Sequence, residues 1–144
     1  MQNAIFFQVP GECVGFARAG SNGKVRFTPK KQRDFAVLVK YAAAKAMENH
    51  SMFEGPVRIV VRATYLVPAS WPKKRKETAY WKTSKPDASN LLKLVEDALH
   101  DVVYCDDAII AEATVQKTYG PIAGTTIEVS ELNDERQHRN ISTQ

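Results

Sequence analysis

The stretch VRIVVRATYLV, residues 57–67, constrains the fold more than any other segment of this chain. Every second residue in it is small or apolar, and this set includes Val57, Ile59, Val61, Ala63 and Tyr65. The positions between them include Arg58, Arg62 and Thr64. Alternation with a period of two is typical of a strand that buries one face. The chain therefore contains a sheet covered on one side.

Other segments predict further strands of this sheet. Residues 4–9 and 14–18 read as short strands, and Asn22-Gly23 supplies a hairpin turn into VRFT. A strand is predicted at 108–117, with its inward residues at Ile109, Ala111, Ala113 and Val115. The last strand is predicted at 125–130, with Ile127 and Val129 facing inward.

Two helices are predicted from apolar residues at steps of three and four. Thr28 suits the N-cap of the first and Pro29 its first turn. Its apolar positions are Phe35, Leu38, Val39, Ala42 and Ala46, and the pattern runs to Met47. Asn90 suits the N-cap of the second helix, whose apolar positions are Leu91, Leu94, Val95, Ala98 and Leu99.

The element order β-β-β-α-β-α-β-β predicts one α+β domain, a mixed and mainly antiparallel sheet with the two main helices packed on it. A chain of 144 residues is long enough for one such core. We assign the domain to residues 1–131 and expect the polar residues 132–144 to form a flexible tail.

The sequence favours a location in the cytoplasm. It contains no apolar run of about 20 residues that could span a membrane, and its first residues do not resemble a secretory signal. Cys13 and Cys105 have no CxxC partner, which favours reduced thiols over a disulfide or a zinc site. The net charge of +4 favours a polyanionic partner.

Acidic residues stand out within this basic chain at Asp87, Asp106 and Asp107. Converging carboxylates bind Mg²⁺ or Mn²⁺, which can activate water against a phosphodiester. Ordinary structural roles also fit, because Asp87 suits a helix N-terminus and the adjacent pair suits a turn before a strand. The spacing does not force the three side chains together.

Three residues near these carboxylates have two interpretations each. Lys93 can approach a phosphate near Asp87, but its spacing from Asp97 favours an ordinary helical ion pair. His100 suits the C-terminus of a helix better than a general base. Cys105 suits packing better than a hard-cation site.

The segment from Pro68 to Pro86 is too long and too charged for a simple connection. Its cations are Lys73, Lys74, Arg75 and Lys76, and they lie between Trp71 and Trp81. Cations neutralise phosphates and aromatic rings stack on unpaired bases, so the segment suits branched or partly opened DNA. A solvated charge run is the simpler alternative.

Four motifs resemble the RusA family of Holliday junction resolvases, small endodeoxyribonucleases frequent in phages and prophages. They are SWPKKRK, KPDASNLLK, DAL at 97–99 and DDA at 106–108. The resemblance implies a homodimer that cuts four-way DNA junctions by symmetric paired nicks with Mg²⁺, or alternatively Mn²⁺. A two-fold dimer matches the approximate symmetry of a junction.

The resemblance also implies roles for residues. The expected metal-binding residues are Asp87, Asp107 and its neighbour Asp106. The expected catalytic residues are Asp87, Asp107 and the lysine Lys93. The expected DNA-binding residues are Lys73, Lys74, Arg75, Lys76, Trp71, Trp81 and Lys85.

Ser89 departs from the family pattern, because it stands where the family's D-x-D has its second aspartate. A hydroxyl binds Mg²⁺ more weakly than a carboxylate. Three explanations are open. Asp106 or Asp97 replaces the missing carboxylate, or the enzyme works with a weaker affinity for the metal. In the third, the protein binds junctions with little cleavage.

Two other functions stay open on the sequence alone. One is a recombination accessory protein that binds junction DNA without cutting it, with the acidic residues in structural roles. The other is a metal-dependent phosphoesterase that acts on nucleotides.

Overall fold

The computed structural model describes four parts of the chain, residues 3–17, 20–21, 26–27 and 30–133. The strands are β1 Ala4–Pro10, β2 Gly20–Ser21, β3 Arg26–Phe27, β4 Val57–Tyr65, β5 Ile110–Tyr119 and β6 Gly124–Glu131. The helices are α1 Lys30–Ala46, α2 Lys73–Thr78 and α3 Ala88–Leu99, and a 3-10 turn spans Asp107–Ile109. The predicted Asn22-Gly23 turn, the helix start at Thr28 and Pro29, and residues 134–144 of the tail lie outside the described residues.

The main sheet has the strand order β1-β6-β4-β5. β6 pairs antiparallel with both β1 and β4, whereas β4 and β5 are parallel. Parallel neighbours need a long crossover, and the chain between them supplies it as α3. The mixed α+β fold predicted from the sequence is therefore confirmed, and α1 and α3 are its two main helices.

The core lies between this sheet and the two long helices. The alternating residues of β4 are buried, as their pattern predicted, while Arg58 and Arg62 are exposed. Leu91 and Leu99 of α3 and Val39 of α1 are fully buried against that face. Burying each such side chain contributes about 1.5–3 kcal/mol, so the core fixes where both ends of α3 lie.

Three predictions about element bounds are wrong. Residues 14–17 form no strand, and the short strand β2 begins only at Gly20. The long charged segment contains a helix, α2. α3 begins at Ala88 with Asp87 as its N-cap, so Asn90 lies inside the first turn instead of capping it.

The inward face predicted for β5 is partly wrong. Ile109 belongs to the 3-10 turn, and Ala111 and Ala113 are exposed, whereas Val115 is half-buried. Ala111 is an extra residue in the pairing, because Val57 pairs with Ile110 and Arg58 already pairs with Glu112. A bulge of this kind shifts the phase of the alternation. The position of β5 at the sheet edge leaves Ala113 uncovered.

Among the described residues, none of the helices is both long and apolar enough to cross a membrane.

Candidate functional site

Asp87 occupies the N-cap of α3. Its backbone carbonyl accepts hydrogen bonds from the amides of Asn90 at 3.0 Å and Leu91 at 3.1 Å. Its side chain is exposed and makes no capping hydrogen bond. A helix N-terminus carries partial positive charge, which stabilises a carboxylate there. The Asp87 carboxylate is thus held at the start of α3 and makes no capping hydrogen bond.

Lys117 of β5 holds the chain immediately before Asp87. Its ammonium donates hydrogen bonds to the carbonyls of Ser84 at 2.8 Å and Pro86 at 2.7 Å. Its own carbonyl accepts from the amide of Lys82 at 2.9 Å. The side-chain ammonium and the backbone carbonyl of Lys117 therefore both fix residues 82–86 to the edge of the sheet.

Residues 15–16 hold the other side of the same turn. The Phe16 amide donates to the carbonyl of Asn90 at 2.8 Å. A Cβ atom added to Gly15 would lie 2.8 Å from the Cβ of Pro86, closer than real side chains approach. Only glycine allows this contact, so Gly15 sets how closely residues 15–16 approach the start of α3.

A cleft of about 680 Å³ opens beside Asp87, and Lys85 and Lys93 line it. The Lys93 ammonium lies 4.8 Å from the centroid of the Phe16 ring and 3.5 Å from the Asp97 carboxylate. The ion pair predicted from the spacing is therefore present. Both side chains are about half exposed, so the pair contributes little to stability. Lys93 sits at the edge of the cleft that contains Asp87.

Asp106 and Asp107 lie at the start of the 3-10 turn. The Asp106 carboxylate accepts a hydrogen bond from the Ala108 amide at 2.9 Å. This is the structural role in a turn that the sequence indicated. Asp107 follows it and is exposed. The Asp106 side chain thus has a structural role in this turn, whereas Asp107 contributes its backbone carbonyl, which accepts a hydrogen bond from the Ile110 amide.

Asp107 lies near the last turns of α3. Burial raises the pKa of Glu96, and the negative charges of Asp107 and Asp97 raise it further. The Tyr104 hydroxyl donates to the Glu96 carbonyl at 2.9 Å, and burial raises the pKa of that phenol. Charges shift a pKa only at short range, so Glu96, Asp97 and Asp107 share one small acidic region.

Asp87 and Asp107 therefore lie towards opposite ends of α3. Glu96, which marks the Asp107 end, follows Asp87 by about 13 Å of helical rise. Ser89 is exposed in the first turn and lies at the Asp87 end. Within the described residues, no three His, Cys, Asp or Glu side chains form a group that could hold a metal ion. The donors suit Mg²⁺ chemically, because they are exposed carboxylates.

His100 and Cys105 lie near the C-terminal end of α3, on the side of Asp107. His100 is the C-cap of α3, and its Nδ1 atom lies 3.2 Å from an Asp101 carboxylate oxygen. This position agrees with the role expected at a helix C-terminus. Cys105 is exposed with its Sγ atom 4.0 Å from the Met52 sulfur, so its expected packing role is wrong.

The basic run forms α2, and no residue of this helix is buried. The Arg75 guanidinium lies 3.7 Å from the Trp71 ring centroid, and the edge of the same indole meets Tyr119 at 5.2 Å between centroids. Trp81 is 59% exposed and packs edge-on against Tyr80, which is 60% exposed. In this segment, the Tyr80 and Trp81 rings are open to a stacking base, whereas Trp71 is partly buried.

Replacing Lys73 and Lys74 with glutamine tests the basic helix. We expect weaker junction binding and a slope of log affinity against log salt concentration that is smaller by about 2, one counterion per lost phosphate contact. Fluorescence anisotropy between low and high salt measures the slope. The matched variant carries Lys40→Gln and Lys45→Gln on α1. An equal loss of junction affinity in the α2 and α1 variants would mean that α2 contributes only its net charge.

Sequence reasoning missed three residues that shape this region. Glu96 had a weak signal, since it follows Lys93 by one helical turn and shares its face. Lys82 and Lys117 had no signal in the sequence, because their contacts join residues far apart in the chain. The Lys82 ammonium lies 4.9 Å from the Tyr65 ring and 5.5 Å from the Tyr119 ring.

A basic helix, exposed aromatic rings and a carboxylate held at a helix mouth define a small nucleic-acid-processing domain. The chain belongs to the RusA family of endodeoxyribonucleases, the Holliday junction resolvases, because the family model for endodeoxyribonuclease RusA matches residues 10–130. A relative from Bacillus subtilis (strain 168), the uncharacterized protein YqaN, is 33% identical over 141 residues. That match covers 91% of this chain and 99% of the relative.

Proposed function

We propose that this protein is a Mg²⁺-dependent endodeoxyribonuclease that resolves four-way DNA junctions by symmetric paired nicks. The observation that carries the proposal is the exposed Asp87 carboxylate, fixed at the start of α3 beside Lys85 and Lys93 in a chain of the RusA family. The nuclease domain is residues 1–131, and the protein acts on DNA in the cytoplasm as a homodimer.

The proposed metal-binding residues are Asp87 at the start of α3 and Asp107 beyond its other end, with Asp106 beside the latter, so one chain does not bring both ends to the same ion. A bound Mg²⁺, or Mn²⁺ in its place, supplies an activated water and offsets charge on the phosphodiester. Lys93 holds a positive charge at the edge of the cleft that contains Asp87, where it neutralises a phosphate oxygen. The α2 cations Lys73, Lys74, Arg75 and Lys76 hold the DNA backbone, and Lys85, Trp71 and Trp81 add contacts nearer the cut.

A synthetic four-way junction and a linear duplex of the same arm sequence test the proposal. We expect nicks in opposite strands of the junction with Mg²⁺, none in the duplex, and none in either with EDTA. Tight binding that is equal with and without metal, and never followed by incision, would favour the non-catalytic accessory protein. Competition by mononucleotides but not by junction DNA would favour the phosphoesterase.

Ser89 sets how much metal the site needs. It lies in the first turn of α3 two residues after Asp87, so an aspartate there adds a hard oxygen donor at the same end. We expect Ser89→Asp to lower the Mg²⁺ concentration for half-maximal cleavage. Ser89→Asn has the same shape without the charge and serves as the matched control. An unchanged metal requirement in Ser89→Asp would place residue 89 outside the metal site.

A further inference from the structure

A second cavity lies beside the cleft that contains Asp87. Its volume is about 280 Å³, and Gly15, Lys85 and Pro86 line both spaces. The two spaces therefore share a wall, and a group bound in the second cavity lies next to the proposed cut. A cavity of this size is just below the range of about 300–1,000 Å³ that is usual for small-molecule sites, so it suits a small group.

Three lysines line this cavity, and they come from two separate parts of the chain. Lys31 belongs to α1, whereas Lys82 and Lys85 precede α3. In the part of the chain that the structure describes, none of the three forms an ion pair with a carboxylate. Glu12 is the acidic residue of the lining, and its carboxylate accepts a hydrogen bond from the Leu66 amide at 3.1 Å. Three lysines against one glutamate leave the lining with an excess of positive charge.

One of these lysines is held in place before any ligand binds. The Lys82 ammonium donates a hydrogen bond to Ser84 Oγ at 2.8 Å and lies 4.9 Å from the centroid of the Tyr65 ring. Tyr65 is itself fixed, because it is buried and its hydroxyl donates to the Cys13 carbonyl at 2.7 Å. An ammonium has three donors, and the contact with Ser84 uses one of them. Lys82 therefore keeps donors for an anion and loses little freedom when the anion binds.

Lys31 lies at the end of its helix where a cation is unfavourable. It is in the first turn of α1, which contains no acidic residue, and its side chain is exposed. The N-terminus of a helix carries partial positive charge, so it repels a lysine and attracts an anion. Such a conflict between a residue and its own helix is typical of functional sites. An anion in the cavity is attracted by both Lys31 and the start of α1.

We infer that this cavity binds a backbone phosphate of the DNA, next to the phosphate that is cut, and that Lys31 and Lys82 hold it together with Lys85. The inference rests on the proposed function, which places the cut phosphate in the Asp87 cleft. A base does not suit the cavity, because Tyr65 is buried and the Lys82 ammonium lies over its ring. Phosphate contacts fix the register of a protein on DNA, so this contact positions the cut strand against Asp87.

Lys31→Gln tests the cavity without cleavage. Junction affinity is measured by fluorescence anisotropy in EDTA at several salt concentrations. We expect about a 10-fold loss of affinity and a slope of log affinity against log salt concentration that is smaller by about 1. The midpoint of thermal unfolding should not fall, because the substitution removes a cation from the start of α1. Weaker binding without weaker folding distinguishes a contact with DNA from a structural role.

Lys40→Gln is the matched control for this variant. It removes the same charge from the same helix, at an exposed position that lines neither the cavity nor the Asp87 cleft. Salt screens a charge that makes no direct contact, so we expect a much smaller loss of affinity. An equal loss of affinity in Lys31→Gln and Lys40→Gln would overturn the inference, because Lys31 would then contribute only its net charge.

Single neutral phosphates locate the contact on the DNA. A methylphosphonate replaces one phosphate at a time around the branch point, and the unaltered protein is compared with a protein that carries both Lys31→Gln and Lys82→Gln. We expect one position, next to the cut, where the methylphosphonate weakens binding by the unaltered protein about 10-fold and hardly affects the variant. Two changes to the same contact are not additive in free energy, whereas independent changes are. Losses of affinity that multiply at every position would overturn the inference.

A free nucleotide is another source of a phosphate. Isothermal titration calorimetry with deoxyadenosine monophosphate tests this source. We expect no measurable binding at concentrations where the junction is saturated, because a nucleotide brings one of the many phosphates that a DNA strand supplies. Nucleotide binding that Lys31→Gln abolishes, with no coupled phosphate in the junction, would overturn the inference in favour of a nucleotide site.

The binding measurements also separate the phosphate contact from the proposed function. If one phosphate is coupled to Lys31 and Lys82 but the protein never cuts, the nuclease is refuted and the phosphate contact stands. If the protein cuts junctions and no phosphate is coupled to these lysines, the phosphate contact alone is refuted.

Discussion

Asp87→Asn is expected to cut a four-way junction at least about 100-fold more slowly than the unaltered protein, because loss of even an indirect partner of a metal costs 10–100-fold. The amide keeps the shape of the side chain but removes the charge that binds Mg²⁺. Asp87 makes no capping hydrogen bond, so the substitution removes only the attraction between its charge and the helix N-terminus, and we expect the free energy of unfolding to fall by at most about 1 kcal/mol. Single-turnover cleavage and thermal unfolding measure the two effects separately.

Asp34→Asn is the matched control for this variant. Asp34 is an exposed carboxylate of α1 that pairs with Lys30 at 3.1 Å, so its replacement removes one surface charge from a helix other than α3. We expect its cleavage rate to equal that of the unaltered protein. Equal nicking by Asp87→Asn and Asp34→Asn would remove Asp87 from the active site. A Mn²⁺ titration followed by electron spin resonance adds a binding measurement that does not depend on cutting.

Lys117→Met is expected to lower both stability and cleavage. The substitution leaves the carbonyls of Ser84 and Pro86 without their ammonium donor, and hydrogen bonds to a charged group contribute about 1.5–3 kcal/mol each when they are well shielded. Lys117 is only half-buried, so we expect a loss of about 2 kcal/mol in the free energy of unfolding. Urea denaturation measures this loss.

The effect on cleavage has a different cause. Without Lys117, the turn that carries Asp87 is no longer tied to β5, and a ligand displaced by even 1 Å loses much of its effect, about 100-fold in rate. We expect junction binding to fall much less than cleavage. Lys40→Met removes one exposed charge from α1 and is the matched control. If Lys117→Met and Lys40→Met had the same free energy of unfolding and the same cleavage rate, the contacts of Lys117 would have no role in positioning Asp87.

Periodicity predicted the long elements well and the short ones poorly. The alternating residues of β4 and the apolar stripe of α3 are buried as expected, because burial of a whole face outweighs local effects. The strand expected at 14–18 failed, since residues 15–16 bind the start of α3 instead of a neighbouring strand. α2 was missed because it buries nothing and has no apolar period.

The site was predicted in composition but not in arrangement. The sequence marked Asp87, Asp107 and the basic run because their side chains have distinctive chemistry. It also predicted the ion pair of Lys93 with Asp97, which depends only on helical spacing. It did not reveal Glu96 near Asp107 or Lys117 behind Asp87, because each contact depends on how α3 lies against β5.

By itself, the sequence determined which chemistry this protein carries: hard oxygen donors, cations for phosphate and the patterns of a sheet with two helices. These properties belong to single residues or to residues one turn apart, so no long-range contact is needed to read them. Only the tertiary structure decided where the donors lie. A helix that connects parallel strands must run antiparallel to them, and this places Asp87 and Asp107 at opposite ends of β5.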